Sequence, residues 1–145
     1  MVKSAKRTDE LDFELKNSDS IENFIENNEA EFDDKNFLKL LNDLITESGK
    51  SKPKIAADSH ISEPYLYNLS KGEKRPARDT VIKLAFGMGL SLDTTERLLK
   101  LAGHSGFYVR HKRDSILKFS VENSLSIDEA DELLVKYGFF IVGAS

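Results

Sequence analysis

The feature that most constrains this fold is the stretch from Ile55 to Gly72, which reads IAADSHISEPYLYNLSKG. Its small and apolar positions have the spacing of two helices that face a common core: Ala56, Ile61, Leu66 and Leu69. Ser62 followed by Pro64 is typical of a helix start, because serine caps the first turn and proline needs no backbone donor there. Gly72 supplies a stop. The stretch therefore predicts two short helices joined by a tight turn.

A longer helix is predicted before this stretch, starting at Asp34 and stopping at Gly49. Its apolar residues recur at three- and four-residue spacing: Phe37, Leu38, Leu41, Leu44 and Ile45. Pro53 fits the first turn of the next helix, which should run to about Asp58 or Ser59.

The second half of the chain is an internal repeat. Residues 78–103 and 113–138 align at an offset of 35 without a gap. Nine positions are identical: Arg78/Arg113, Asp79/Asp114, Lys83/Lys118, Leu90/Leu125, Ser91/Ser126, Asp93/Asp128, Leu98/Leu133, Leu99/Leu134 and Gly103/Gly138. Each unit predicts two helices, the second capped by serine and ended by glycine. The Arg-Asp pair that opens both units favours a structural role at a helix start.

We therefore predict an all-α, compact helical bundle with a helix-turn-helix, extended by a second repeated two-helix unit. Residues 34–103 form the main domain, and residues 104–145 form a C-terminal extension that repeats 78–103. The last apolar segment, 139–142, should either cap the helical core or pair with a second subunit, because it is too apolar to leave in water.

Residues 1–33 form an acidic N-terminal arm that we expect to be disordered or loosely docked, with residues 1–18 disordered. Residues 20–25 predict one or two helical turns, with Ile21, Phe24 and Ile25 on one face. Two interpretations stay open. The arm is either a solvated tail with a small docked helix, or a regulatory segment that mimics the charge of DNA and screens a basic face.

Composition narrows the chemistry further. Cysteine is absent, and the three histidines are too scattered for a metal site. No apolar run approaches the roughly 20 residues needed to span a membrane. The chain also has no glycine-rich phosphate loop and no Ser-His-Asp spacing. We expect a cytoplasmic protein that is not an enzyme, has no metal or cofactor and does not enter a membrane.

Charge is unevenly distributed along the chain, whose net charge is −4. Residues 1–35 hold five Lys or Arg against eleven Asp or Glu, whereas residues 50–78 hold seven against three. The field that acts on a phosphate is local, since salt screens charges beyond about 8–10 Å. The stretch around the helix-turn-helix can therefore bind DNA although the chain is acidic.

The second helix of the motif carries polar residues between its buried positions, as a major-groove reader requires. Base contacts are predicted for Asn68, Tyr67 and Glu63, with Asn68 the best candidate because its amide can pair with adenine. Backbone contacts are predicted for Lys52, Lys54, Ser62, Tyr65, Lys71, Lys74 and Arg75. The cluster 110–113 is a second basic patch that either extends the DNA footprint, binds an acidic partner or has no role.

Residues 36–103 resemble the XRE, or lambda-repressor-like, helix-turn-helix family. The matching landmarks are Leu41/Leu44, Ile55-Ala56, Ile61-Ser62, Tyr65-Leu66, Leu69, Lys71-Gly72, Pro76 and the helix 81–86. The resemblance implies a bundle of about five helices that binds palindromic operators as a dimer. The chain departs from the family pattern at Ser59, where an apolar residue is usual, and at His60, where glycine is usual.

Taken together, these residues predict a sequence-specific DNA-binding transcriptional regulator, a repressor that binds a palindromic operator through the helix Ser62–Ser70. Its expected partners are double-stranded DNA and a second copy of the chain. The alternative is a protein-interaction module, antitoxin-like or an adaptor, that retains the fold with weak or no specific DNA binding. Glu63, Pro64 and the acidic arm favour that alternative, because proline cannot read a base edge and carboxylates repel phosphate.

Overall fold

The computed structural model describes residues 6–143, apart from the side chain of Asp34. Within these residues the chain is all-helical and compact, which confirms the predicted fold class. The helices are α1 (Thr8–Asn17), α2 (Ile21–Asn27), α3 (Asp33–Glu47), α4 (Lys52–Asp58), α5 (Glu63–Ser70), α6 (Arg78–Met88), α7 (Leu92–Leu101), α8 (Lys112–Glu122) and α9 (Ile127–Lys136). A short 3-10 helix, Glu29–Glu31, joins α2 to α3.

The main core lies between α3 and the helices that follow it. Phe37, Leu41 and Ile45 form the buried stripe of α3 at four-residue spacing, as predicted. Leu38 and Leu44 flank that stripe and are half-buried. Fully buried side chains of the later helices complete the core: Ile55, Leu66, Leu69, Ile82, Leu84, Leu98 and Leu99.

Both helices of the helix-turn-helix start at a serine cap, of which Ser62 was predicted. The Lys54 N–H donates to Ser51 Oγ at 3.3 Å, and the Tyr65 N–H donates to Ser62 Oγ at 3.2 Å. Each serine satisfies one of the free donors at a helix start. His60 lies in the turn with φ of 55°, the left-handed region in which a residue with a Cβ is strained.

α4 and α6 approach closely where Ser59 faces Gly87. A Cβ placed on Gly87 would lie 1.7 Å from Ser59 Oγ and 2.9 Å from its backbone nitrogen, so only glycine fits there. The Lys50 ammonium closes the same region from the other side by donating to the Gly87 carbonyl at 2.9 Å. Glycine at this crossing sets how closely the helix-turn-helix packs on the first repeated unit.

The two repeated units have nearly matching helices. α7 and α9 begin and end at residues 35 apart, and α6 and α8 agree within one residue at each end. Ser91 and Ser126 cap α7 and α9, and Gly103 and Gly138 follow these helices with φ of 87° and 80°. The sequence repeat is thus a repeat of structure.

Two reciprocal ion pairs join the units. Arg78 donates to both carboxylate oxygens of Asp114 at 2.9 and 3.0 Å. Arg113 donates in the same way to Asp79 at 3.1 and 2.9 Å. Each arginine binds the aspartate that follows the other arginine. The contacts are therefore related as in a two-fold symmetric interface, here between two parts of one chain. The structural role predicted for these arginines is confirmed.

The C-terminal apolar segment is only partly buried. Val142 is fully buried, and the Asp131 carboxylate accepts from the Val142 and Gly143 N–H groups at 2.7 and 3.1 Å. Phe140 remains 90% exposed. The segment therefore covers the core through Val142 and the half-buried Phe139 rather than as a whole.

The N-terminal arm is more ordered than its composition predicts. The expectation of disorder over residues 1–18 is wrong for Thr8–Asn17, which form α1, while residues 1–5 lie outside the described part. The Lys6 ammonium bridges Glu14 and Asn28, both at 2.6 Å, and so ties α1 to the end of α2. Of the predicted face of α2, only Phe24 is buried, and its ring packs edge-on against Phe32.

Candidate nucleic-acid interface

α5 has one buried and one exposed face. Leu66 and Leu69 are buried in the core, as the sequence predicts, and Ser70 is buried beside them. The opposite face exposes Glu63, Pro64 and Tyr67, and Lys71 continues it beyond the helix end. The helix therefore presents a continuous polar and aromatic ridge of about two turns to solvent.

The three predicted base readers lie at different depths. Glu63 is exposed at the first position of α5, and Tyr67 is 38% exposed one turn later. Asn68 is half-buried beside Tyr67, and its backbone carbonyl accepts from the Glu73 N–H at 2.9 Å. Its side chain makes no hydrogen bond within residues 6–143, so the amide is free to pair with a ligand.

Ser62 and Tyr65 hold the start of α5. The Ser62 hydroxyl oxygen is used as the helix cap, which leaves its proton available to a phosphate. Tyr65 is half-buried and packs against the hydrophobic core. Both residues are predicted backbone contacts whose first role is to fix the orientation of α5.

The lysines of α4 already have partners. The Lys54 ammonium is 3.1 Å from Asp58, as is that of Lys50. Hydrogen bonds from Lys54, and then from Lys50, hold the pKa of Asp58 below its ordinary value. Lys52 lies 4.6 Å above the ring of Tyr67 and 3.4 Å from Ser70 Oγ. Lys52 is thus held against α5, whereas Lys50 and Lys54 are held at Asp58 of α4.

The cations that follow α5 differ from Lys54, which is paired with Asp58. Lys71, Lys74 and Arg75 are exposed, and no ion pair joins them to a carboxylate in the described part of the chain. They lie at the end of α5 and in the loop that leads to α6. Residues 71–75 hold these three cations against Glu73, a net charge of +2.

The N-terminal arm approaches that loop. An open cavity of about 520 Å³ separates them, with Ile25, Phe32 and Leu69 among its apolar lining. Glu29 and Asp33 of the arm line it together with Lys74 and Arg75 of the loop. Acidic and basic groups thus share one cavity without a direct ion pair, which is the geometry of partial electrostatic screening.

Two sets of long-range contacts near this surface could not be predicted from the sequence. The carboxylate partners of Arg78 and Arg113 lie 36 and 34 residues away, so spacing alone indicated a structural role without the partner. The contact of Lys50 with the Gly87 carbonyl joins residues 37 apart and had no local signal. The residues of the basic cluster 110–113 differ in their contacts. Arg113 is paired with Asp79, whereas Arg110, His111 and Lys112 are exposed.

None of the helices within residues 6–143 is both long and apolar enough to cross a bilayer. The sequence matches no protein-family model, and neither curated proteins nor solved structures give a match. The residues and geometry described above are therefore what bears on function.

Proposed function

We propose that this chain is a cytoplasmic, sequence-specific DNA-binding transcriptional regulator that acts as a repressor. One observation carries the proposal. The exposed ridge of α5 leads directly into a loop whose three cations, Lys71, Lys74 and Arg75, lack carboxylate partners among the described residues. The resemblance of residues 36–103 to the XRE family supports the same conclusion.

In this proposal the segment Ser62–Ser70 lies in the major groove and reads bases. The Asn68 amide pairs with the edge of adenine, which contributes about 1–3 kcal/mol of discrimination. Tyr67 contacts a thymine methyl group, and Glu63 accepts from a cytosine amino group. Specificity thus depends on side chains within two turns of one helix.

The phosphate contacts fall into two groups. Lys71, Lys74 and Arg75 bind phosphate directly, because no intramolecular ion pair has to be broken. Lys54 exchanges its contact with Asp58 for a phosphate at small cost, since exposed pairs of this helical spacing contribute only about 0.3–0.5 kcal/mol. Lys52 reaches the backbone from its place over Tyr67.

A palindromic operator requires a dimer, which we assign to the C-terminal helices. Phe119 of α8 is 55% exposed, although the matching residue of the first unit, Leu84, is fully buried. A second copy that covers this face sets half-sites about one helical turn apart. Light scattering at high concentration should give a dimer mass for the wild type and a monomer mass for Phe119→Asp. A monomeric wild type would contradict the dimer.

The test of DNA binding is fluorescence anisotropy with random and selected duplexes at two salt concentrations. Asn68→Ala should change the preferred sequence, whereas Lys74→Ala should weaken binding to all duplexes by a similar factor. Lys100→Ala is the matched control, because Lys100 is an exposed cation on α7 outside the proposed interface. Absence of binding to any duplex at low salt would refute the regulator.

The second candidate is a protein-interaction module, antitoxin-like or an adaptor. Glu63 and Pro64 are both exposed at the start of α5, where a DNA reader needs hydrogen-bonding groups and no repulsion from phosphate. Phe13 of the arm is also 69% exposed. If no duplex is bound, this function becomes the better account of the same surface.

A further inference from the structure

We propose that the loop Arg110–Lys112, at the start of α8, is a second phosphate-binding site that extends the DNA footprint beyond the helix-turn-helix. The inference rests on the proposed DNA binding and names a further part of the surface. Its ligand class is the nucleic-acid backbone phosphate, which is read without regard to sequence.

The first support is the position of the loop. His104 Nε2 is 2.9 Å from the Pro76 carbonyl, and Arg78 donates to the Ser105 and Gly106 carbonyls at 3.2 and 3.0 Å. The segment that leads to Arg110 therefore lies against the end of the loop that carries Lys74 and Arg75. Arg110 thus follows, four residues on, a segment that contacts the residues immediately after Arg75.

The second support is the symmetry of the repeat. Arg75 and Arg110 occupy matching positions, each three residues before an arginine of the reciprocal ion pairs. Three residues span at most about 11 Å between Cα atoms. Since Arg78 and Asp114 are in direct contact, both basic loops lead into helix starts that meet each other.

The third support is charge. Asp79 and Asp114, the acidic residues in the first turns of α6 and α8, are each neutralised by an arginine of the other unit. Arg110 and Lys112 are exposed, and neither forms an ion pair within residues 6–143. Arg110 and Lys112 are therefore uncompensated before α8, whereas Glu73 offsets one of the two charges of Lys74 and Arg75 before α6.

The fourth support is that the loop is already fixed in shape. The Tyr108 N–H donates to Asp114 at 2.9 Å, and the His111 N–H donates to the Tyr108 carbonyl at 2.9 Å. Ser115 Oγ donates to the Val109 carbonyl at 2.5 Å, and the His111 ring packs edge-on against Tyr108. A phosphate that binds here meets cations on an ordered loop, so little ordering entropy is lost.

The experiment measures the salt dependence of binding to a random-sequence duplex of about two helical turns. Removing both cations in Arg110→Gln/Lys112→Gln should lower the slope of log Kd against log salt by about 1.8, or about 0.9 per phosphate contact. Between about 50 and 200 mM salt, the wild type should then lose about 12-fold more affinity than the variant. The preferred sequence should not change.

Two further double variants distinguish loss of the second phosphate site from a general effect of removing positive charge. Arg97→Gln/Lys100→Gln removes two exposed cations from α7 and should leave the slope unchanged. Lys74→Gln/Arg75→Gln tests the first loop. If only the first-loop variant lowers the slope, DNA binding stands and the second site is refuted. If the wild type binds no duplex, the proposed function and the second site both fail.

Discussion

At the scale of single residues, two matching positions differ in backbone strain. Gly89 and Ser124 follow the first helix of each unit with φ of 63° and 54°. Glycine adopts this left-handed conformation freely, whereas serine is strained there. Ser124→Gly should therefore raise the free energy of unfolding by about 0.5–1 kcal/mol. Thermal denaturation checks this, and Gly89→Ser should change the stability in the opposite direction.

Ser59 and Gly87 give a second residue-scale prediction. The Ser59 hydroxyl is fully buried and has no hydrogen-bond partner in the described part of the chain. Ser59→Ala should therefore be neutral or stabilising by up to about 1 kcal/mol, because it removes an unsatisfied polar group. Gly87→Ala should cost more than about 2 kcal/mol, since its Cβ meets Ser59. Denaturant unfolding of both variants tests the pair, and a destabilised Ser59→Ala would contradict it.

Glu14 gives the arm a predictable pH dependence. Hydrogen bonds from Lys6, and then from Asn28, hold the pKa of Glu14 below its ordinary value. A carboxyl with a lowered pKa in the folded state stabilises that state at neutral pH, and this contribution is lost as pH falls below about 4.5 and through the lowered value. Acid should therefore release α1. An NMR titration of Glu14 should show the lowered pKa, and Lys6→Ala should move it back towards the ordinary range.

At the scale of helices, the reciprocal ion pairs differ in burial and so in their expected energies. The Asp114 side chain is 10% exposed, compared with 27% for Asp79. Asp114→Asn removes the buried counter-charge of the half-buried Arg78 and should cost about 2–3 kcal/mol. Asp79→Asn should cost less than about 1 kcal/mol, because water screens that pair. Equal losses in denaturant unfolding would show that burial does not separate the two pairs.

The two helical units have the same backbone plan but different surroundings. Gly87 lets α6 lie against α4, whereas the matching residue of α8 is Glu122, which is exposed. A glutamate in place of glycine would exclude the same close packing on a helix-turn-helix. Lys83 of α6 is buried, which lowers its pKa, while Asp79 and Asp131 act in the opposite direction. Gly87 and Glu122 differ in residue type, whereas Lys83 and its counterpart Lys118 are identical in sequence and differ in burial.

At the scale of the whole molecule, the acidic arm and the basic loop share one cavity. Glu29 and Asp33 lie across it from Lys74 and Arg75, and so reduce the positive potential that a phosphate meets. Glu29→Gln/Asp33→Asn should tighten binding to any duplex by about 2- to 5-fold. Anisotropy measures this, and Glu22→Gln/Glu26→Gln on the exposed side of α2 is the control. Equal gains in both variants would mean that only net charge matters.

Local patterns predicted most helices correctly, because their signals are short-range. Ser62, Pro64 and Gly72 bound α5, and the three- and four-residue spacing in α3 identified its buried stripe. Disorder over Thr8–Asn17 was predicted from composition, and the prediction is wrong because Lys6 binds residues 8 and 22 positions away. Base and phosphate contacts stay predictions, since they depend on a partner that the chain alone does not define.

By itself, the sequence determined the helix-turn-helix, the repeat and the uneven charge. These depend on caps, periodicity and residue type, which act within about one or two helical turns. Only the tertiary structure decided which cations are already paired, which face of the second unit stays open, and that the starts of α6 and α8 meet. The contacts of Arg78, Arg113 and Lys50 with the other helices join residues more than thirty positions apart, so burial and packing of the whole molecule select them.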